Sequence, residues 1–92
     1  MSIQEQYTYK NITSSGTTVV KPNPGKLHSI CINTKGATET AVIYDNTAAS
    51  GTKIGTLSLN TEGTYLYDVM FNIGLTIVTS GTTAPDLTVC YA

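Results

Sequence analysis

The sequence offers few side chains that could do chemistry, and they are widely spaced. A general base needs a nucleophile beside it and usually an orienting group, but the one histidine, His28, has neither in a recognisable motif. Strand alternation would place His28 with Ile30 and Ile32 on an apolar face. We therefore expect a histidine packed at a sheet surface or an interface, and no catalytic residue.

The carboxylates do not indicate a metal site either. Calcium is held by several oxygen ligands, which a sequence usually supplies as a cluster of carboxylates. The six carboxylates of this chain lie in separate segments: Glu5, Glu39, Asp45, Glu62, Asp68 and Asp86. No metal ion and no cofactor is therefore predicted.

Asp68 interrupts the apolar segment YLYDVMF, between Leu66 and Met70. If it were buried there, its carboxylate would require hydrogen-bond partners. Alternation favours an outward face on which Asp68 touches solvent or a neighbouring hydroxyl, while the tyrosines and Phe71 pack on the other side. Both placements are open at this point.

Cys31 and Cys90 are far apart in the sequence and belong to no metal-binding spacing. Alternation puts both of them on the less apolar faces of their segments, so we expect two free thiols in small, half-buried spaces. A Cys31–Cys90 cross-link remains possible if their two strands are neighbours.

Composition limits the classes of partner. Charged residues make up 12% of the 92 residues, the net charge is −1, and all five cations are isolated lysines. Nucleic-acid-binding domains normally carry a basic stripe, so no nucleic acid is expected as a partner. No apolar stretch is long enough to cross a bilayer, and residues 1–10 lack the apolar run of a secretory signal, so no membrane association is expected.

Turn signals at short, regular intervals predict an all-β fold. Thr, Val, Ile and Tyr are plentiful, and glycines, prolines and asparagines separate short alternating segments. Gly55 marks a bulge or a close backbone approach inside one of them. We predict a small antiparallel β-sandwich or jelly-roll of about eight short strands: 6–10, 17–21, 27–34, 39–45, 53–59, 64–71, 75–79 and 87–91.

The N-terminal segment is the preferred candidate for an interface. We predict that residues 1–16 form an arm or an edge strand, and that residues 17–92 form the β-sandwich domain. Tyr7 and Tyr9 are the first interface candidates, because a terminal strand is easily lent to a partner and tyrosine suits interfaces. Tyr44, beside the small polar loop 46–51, and His28 complete the set.

Residues 26–91 resemble small virion structural proteins of tailed bacteriophages. Two stretches carry the resemblance: LHSICINTKGATETAVIYDNTAASGTKIGTL and GTYLYDVMFNIGLTIVTSGTTAPDLTVCY. Members of this group tend to have a strand that ends in a glycine turn, a VYDNTAASGT-type hairpin, an F-x-x-GL strand pair and a D-x-T-V-x-Y strand. The last two elements are represented here by Phe71, Gly74 and Leu75, and then by Asp86, Thr88, Val89 and Tyr91.

The resemblance implies a β-sandwich that is not an enzyme and that binds an assembled shell. The function it implies is that of a capsid decoration, or cement, protein on the virion surface, synthesised in the host cytoplasm. The partners would be the major capsid protein and further copies of the chain, with a trimer favoured. The alternative is a tail, fibre or head-fibre adhesion module that binds a host surface receptor or glycan.

Overall fold

The structure, a computed structural model, describes residues 6–36, 39–81 and 85–92. These residues form eight strands: β1 (Thr8–Ile12), β2 (Gly16–Lys21), β3 (Gly25–Thr34), β4 (Thr40–Asp45), β5 (Thr52–Ser58), β6 (Gly63–Phe71), β7 (Leu75–Ser80) and β8 (Asp86–Tyr91). No helix that could cross a membrane occurs in this part of the chain. The predicted all-β fold is confirmed.

The observed strands follow the predicted segments closely, with two exceptions: β3 begins at Gly25, two residues earlier than predicted, because Gly25 and Lys26 pair with Phe71 and Met70, and the N-terminal strand is shifted. There, β1 begins two residues later than predicted and includes Asn11 and Ile12. Pairing with β8 extends the strand, because Ile12 lies opposite Leu87 and both side chains are buried. The predicted tail 1–5 and parts of the predicted connections 35–37 and 80–86 lie outside the described residues.

The strands form two antiparallel four-stranded sheets. Sheet A has the order β1-β8-β3-β6, and sheet B has the order β2-β7-β4-β5. The pairs are nested along the chain: first with eighth, second with seventh, third with sixth and fourth with fifth. This nesting is the strand order of a jelly roll, in which a long folded hairpin is wrapped into two facing sheets.

The hydrophobic core lies between the two sheets. Alternation along each strand turns one set of apolar side chains inward, and the opposite set stays at the outer faces. Sheet A contributes Ile12, Leu27, Ile30, Ile32, Phe71, Leu87 and Val89, and sheet B contributes Val20, Ala41, Ile43, Leu57, Leu75 and Ile77. Cys31 and Cys90 are free and half-buried, as predicted.

A tight contact joins the two sheets at Gly55. The register between β4 and β5 shifts between Ile43 and Tyr44, so β5 bulges beside this glycine. A Cβ atom on Gly55 would lie 3.0 Å from the hydroxyl of Tyr67, which reaches across from β6. Burial of Tyr67 raises the pKa of its hydroxyl. Of the two alternatives predicted for Gly55, the bulge is confirmed, and the close neighbour is the side chain of Tyr67.

Candidate interaction surface

A β-bulge interrupts the pairing of β3 with β6 on the outer face of sheet A. The register between β3 and β6 shifts between Leu27 and Ser29, and β6 has one extra residue there. At this point Asp68 adopts a φ of 50°, in the left-handed region that asparagine and aspartate tolerate better than most residues. At the same point β3 itself has one extra residue, His28, relative to β8, and this second irregularity changes which side chains of β3 face the core.

The extra residue in β3 overturns the predicted orientation of His28. Simple alternation placed His28 on the same apolar face as Ile30, but the shift breaks the alternation. Leu27 and Ile30 both enter the core, while His28 stays half-buried at the outer surface. An extra residue in a strand breaks the alternation of side chains between its two faces, so the face of a residue beyond the bulge cannot be predicted by simple alternation.

His28 and Asp68 are hydrogen-bonded to each other across the bulge. The Nδ1 of His28 lies 2.6 Å from Oδ1 of Asp68, which accepts its hydrogen. Asp68 therefore faces outward, the placement that alternation favoured. A carboxylate that orients a histidine is one part of a hydrolytic site, but none of the described residues places a nucleophile on the other ring nitrogen, Nε2.

Tyr7 covers His28 from the N-terminal side. The two rings are stacked, with centroids 4.2 Å apart and planes inclined by 15°. The ammonium group of Lys26 lies 5.9 Å from the centroid of the same tyrosine ring, a cation–π arrangement. The segment before β1 is thus joined to β3 and, through His28, to the bulge of β6.

A ladder of polar side chains crosses the outer face between β1 and β3. The Nδ2 groups of Asn11 and Asn33 both donate to Asp86 Oδ1, at 2.9 and 3.2 Å. Both amides also reach the hydroxyl oxygen of Thr88, at 3.4 and 3.0 Å. The Nδ2 groups of both asparagines are therefore hydrogen-bonded within the chain.

The four predicted interface residues do not form one site. Tyr7 and His28 are in contact. Tyr9 lies on the same sheet, opposite Cys90, and 70% of it is exposed. Tyr44 lies on β4 in the other sheet, where it is half-buried opposite Thr76.

Sequence reasoning did not identify an exposed apolar set on β6. Leu66 and Met70 are 69% and 74% exposed, and Val69 is 37% exposed. Leu66 and Met70 flank Asp68 with the spacing of one strand face, so an outward Asp68 already indicated that they would be exposed. Their position on an edge strand is decided only by the order of the sheet.

On the opposite side of the molecule, Asp45 connects two loops. Its carboxylate accepts hydrogen bonds from the backbone N–H groups of Asn72, Ile73 and Gly74 in the turn between β6 and β7. The bond from Asn72 chiefly lowers the pKa of Asp45, with smaller contributions from the other two amides, and partial burial opposes them. Asn46 then closes the following loop with a 2.7 Å bond to the carbonyl of Ser50.

The chain matches no known family model and no curated protein sequence. Within the described residues, no group of three or more His, Cys, Asp or Glu side chains is arranged to hold a metal ion. The geometry above defines the candidate site as the outer face of sheet A, with its stacked Tyr7–His28 pair, its polar ladder and its exposed Tyr9.

Proposed function

We propose that this protein is a phage virion structural protein that docks on the outer surface of an assembled capsid as a decoration protein. The resemblance of residues 26–91 to small phage virion proteins supports this proposal. The jelly-roll architecture is also common among viral capsid and lectin domains, although a fold does not by itself imply a function.

The observation that carries the proposal is the outer face between β1 and β3. Its amides are hydrogen-bonded to Asp86 and Thr88 within the chain, so a partner that covers the face leaves none of these donors unpaired. Tyr9 projects beside the ladder and provides an aromatic anchor of the kind that dominates many interfaces.

The mechanism follows from mass action. A protein that binds the assembled shell, and not the free subunits, stabilises the shell by an amount that grows with its concentration relative to the dissociation constant. A low charge and a hydroxyl-rich surface suit such a role, because repeated copies can lie close together on a lattice without strong repulsion.

A binding assay on capsids tests the proposal. Capsids assembled from the major capsid protein encoded near this chain's gene are mixed with the purified protein and sedimented. We expect saturable co-sedimentation and a higher temperature of capsid rupture. Tyr9→Ser should weaken binding by at least about tenfold, as for an aromatic anchor. Val19→Ser is the matched control, since Val19 is 45% exposed on the opposite sheet.

Two outcomes would contradict the proposal. The protein could remain in the supernatant at every concentration, or Tyr9→Ser and Val19→Ser could bind as tightly as each other. If the protein instead binds intact host cells, and competing sugars remove it, the adhesion alternative is supported.

A further inference from the structure

The two cysteines of the chain lie on one face of sheet A, although they are far apart in the sequence. Cys31 is on β3 and Cys90 is on β8, and these two strands pair with each other at the centre of the sheet. The cysteines follow Ile30 and Val89, which lie opposite each other and are fully buried in the core. Alternation therefore turns both thiols to the outer face, where both residues are half-buried.

The strand register sets the distance between the two cysteines. Cys31 lies opposite Thr88 and Cys90 lies opposite Ser29, so the two cysteines are diagonal neighbours. Diagonal neighbours are about 7–8 Å apart, whereas the Cα atoms of a disulfide are usually about 4.4–6.8 Å apart. A direct S–S bond is therefore too short to join them without movement of the strands.

A metal ion between the two sulfur atoms would span this gap. The ion replaces one S–S bond of about 2.05 Å with two metal–sulfur bonds of about 2.3 Å each, which lengthens the bridge by about 2.5 Å. The lengthened bridge covers the separation of diagonal neighbours. Two sulfur ligands on opposite sides of an ion form a linear site, which needs no third ligand from the protein.

We propose that Cys31 and Cys90 together bind one soft, thiol-seeking metal ion of the cuprous class. Thiolates are the protein ligands that Cu(I) prefers. Binding releases one proton from each thiol, and the weak 3.4 Å hydrogen bond from the Cys31 thiol to Oδ1 of Asn33 is given up. Both ligands stand on central strands, and such rigid elements hold a metal site more precisely than loops do.

Titration of the reduced full chain with Cu(I), without oxygen, tests the proposal. We expect one ion per chain in native mass spectrometry and a Kd that can be measured by competition with a coloured Cu(I) chelator. Cys31→Ser and Cys90→Ser should each weaken binding by more than the roughly 10–100-fold that follows the loss of a supporting, non-ligating residue. Met70→Leu is the matched control and should leave the Kd unchanged, because it removes an exposed thioether, another soft ligand, outside the pair.

Two further measurements do not depend on the chelator. The cysteines are neighbours only in the folded chain, so Cu(I) should raise the temperature of unfolding of the wild type but of neither serine variant. One equivalent of Cu(I) should also protect both thiols of the wild type from alkylation by iodoacetamide. This last test needs no variant, so it decides the matter even if a serine variant does not fold.

The proposal is overturned if Cu(I) does not bind the wild type, if either serine variant binds it as tightly, or if the ion joins two chains. A disulfide between Cys31 and Cys90 after oxidation would also overturn it, because the register would then not hold the thiols apart. None of these measurements involves a capsid, so their outcome is independent of the proposed docking function.

Discussion

The Asp45 carboxylate receives the Asn72 amide hydrogen between its two oxygens, each 2.9 Å from the Asn72 nitrogen. The two residues are far apart in sequence, at the end of β4 in sheet B and just after β6 in sheet A. Their bond therefore connects the loop after β4 to the turn by which the chain crosses from one sheet to the other. Charge-assisted bonds to backbone N–H groups are among the stronger hydrogen bonds of a protein surface.

Asp45→Asn should destabilise the domain. The substitution keeps the size of the side chain but removes its charge and one acceptor oxygen, so the turn loses part of its support. We expect a loss of roughly 1–2 kcal/mol in the free energy of unfolding, measured in urea, because the site is only partly buried. Glu62→Gln, on an exposed carboxylate with a single 3.3 Å bond to the Lys35 amide, should change it by less.

The same carboxylate predicts how stability depends on acid. Because the folded state lowers the pKa of Asp45 below its ordinary value, the stability that this carboxylate contributes is fully present above the ordinary pKa and is lost as the pH falls through the folded pKa. The free energies of unfolding of the wild type and Asp45→Asn should differ at pH 7 and should converge as the pH is lowered into the acidic range. A constant gap between them down to the lowest pH would show that the charge of Asp45 contributes nothing.

Substitutions at Asp68 should separate the effect of backbone strain from that of the hydrogen bond to His28. Asp68→Asn keeps a residue that tolerates the left-handed conformation but weakens the pair with His28, which should cost roughly 0.5–1 kcal/mol at this exposure. Asp68→Ala also introduces backbone strain and should be about 1 kcal/mol worse. Equal stabilities of the Asn and Ala variants in chemical denaturation would argue against strain at this bulge.

Gly55→Ala should destabilise the contact between the sheets. The added Cβ would lie 3.0 Å from the Tyr67 hydroxyl, which is tighter than an ordinary van der Waals contact. We expect a loss of roughly 1–2 kcal/mol from overpacking. Tyr67→Phe removes the crowded oxygen, so the double variant should be more stable than the sum of the single changes predicts. If the destabilisations caused by the two substitutions simply add, the Tyr67 hydroxyl is not the group that the new Cβ atom crowds.

Cys31 and Cys90 should not form a disulfide with each other under mild oxidation. Cys31 lies opposite Thr88, and Cys90 lies opposite Ser29, so the two cysteines are diagonal neighbours across β3 and β8. Diagonal neighbours are about 7–8 Å apart, beyond the usual span of a disulfide. Mass spectrometry after oxidation and alkylation should find both thiols alkylated within one chain, and an intramolecular bridge would contradict the register.

The candidate site was only partly predictable. Tyr7, Tyr9 and His28 were named from the residue types and the terminal position; Tyr9 and His28 lie on sheet A, and Tyr7, just before β1, stacks on His28. Their relationship to Asp68 was not predicted, because His28 and Asp68 are on separate strands and meet at a bulge that simple alternation does not anticipate.

The sequence by itself determined which segments are strands. Alternation and turn residues act over a few neighbouring positions, so glycines, prolines and β-branched residues already indicate which segments are strands, whereas the first residues of β1 and β3 were set by pairing with their neighbours. The order of the strands, the pairing of first with eighth and third with sixth, and the exposure of β6 as an edge were decided only by the tertiary structure. The physical reason is that strand order depends on burial across the whole molecule. Each strand must bury its apolar face against strands that are distant in the sequence, and the order with the lowest free energy for the whole core is the one that forms.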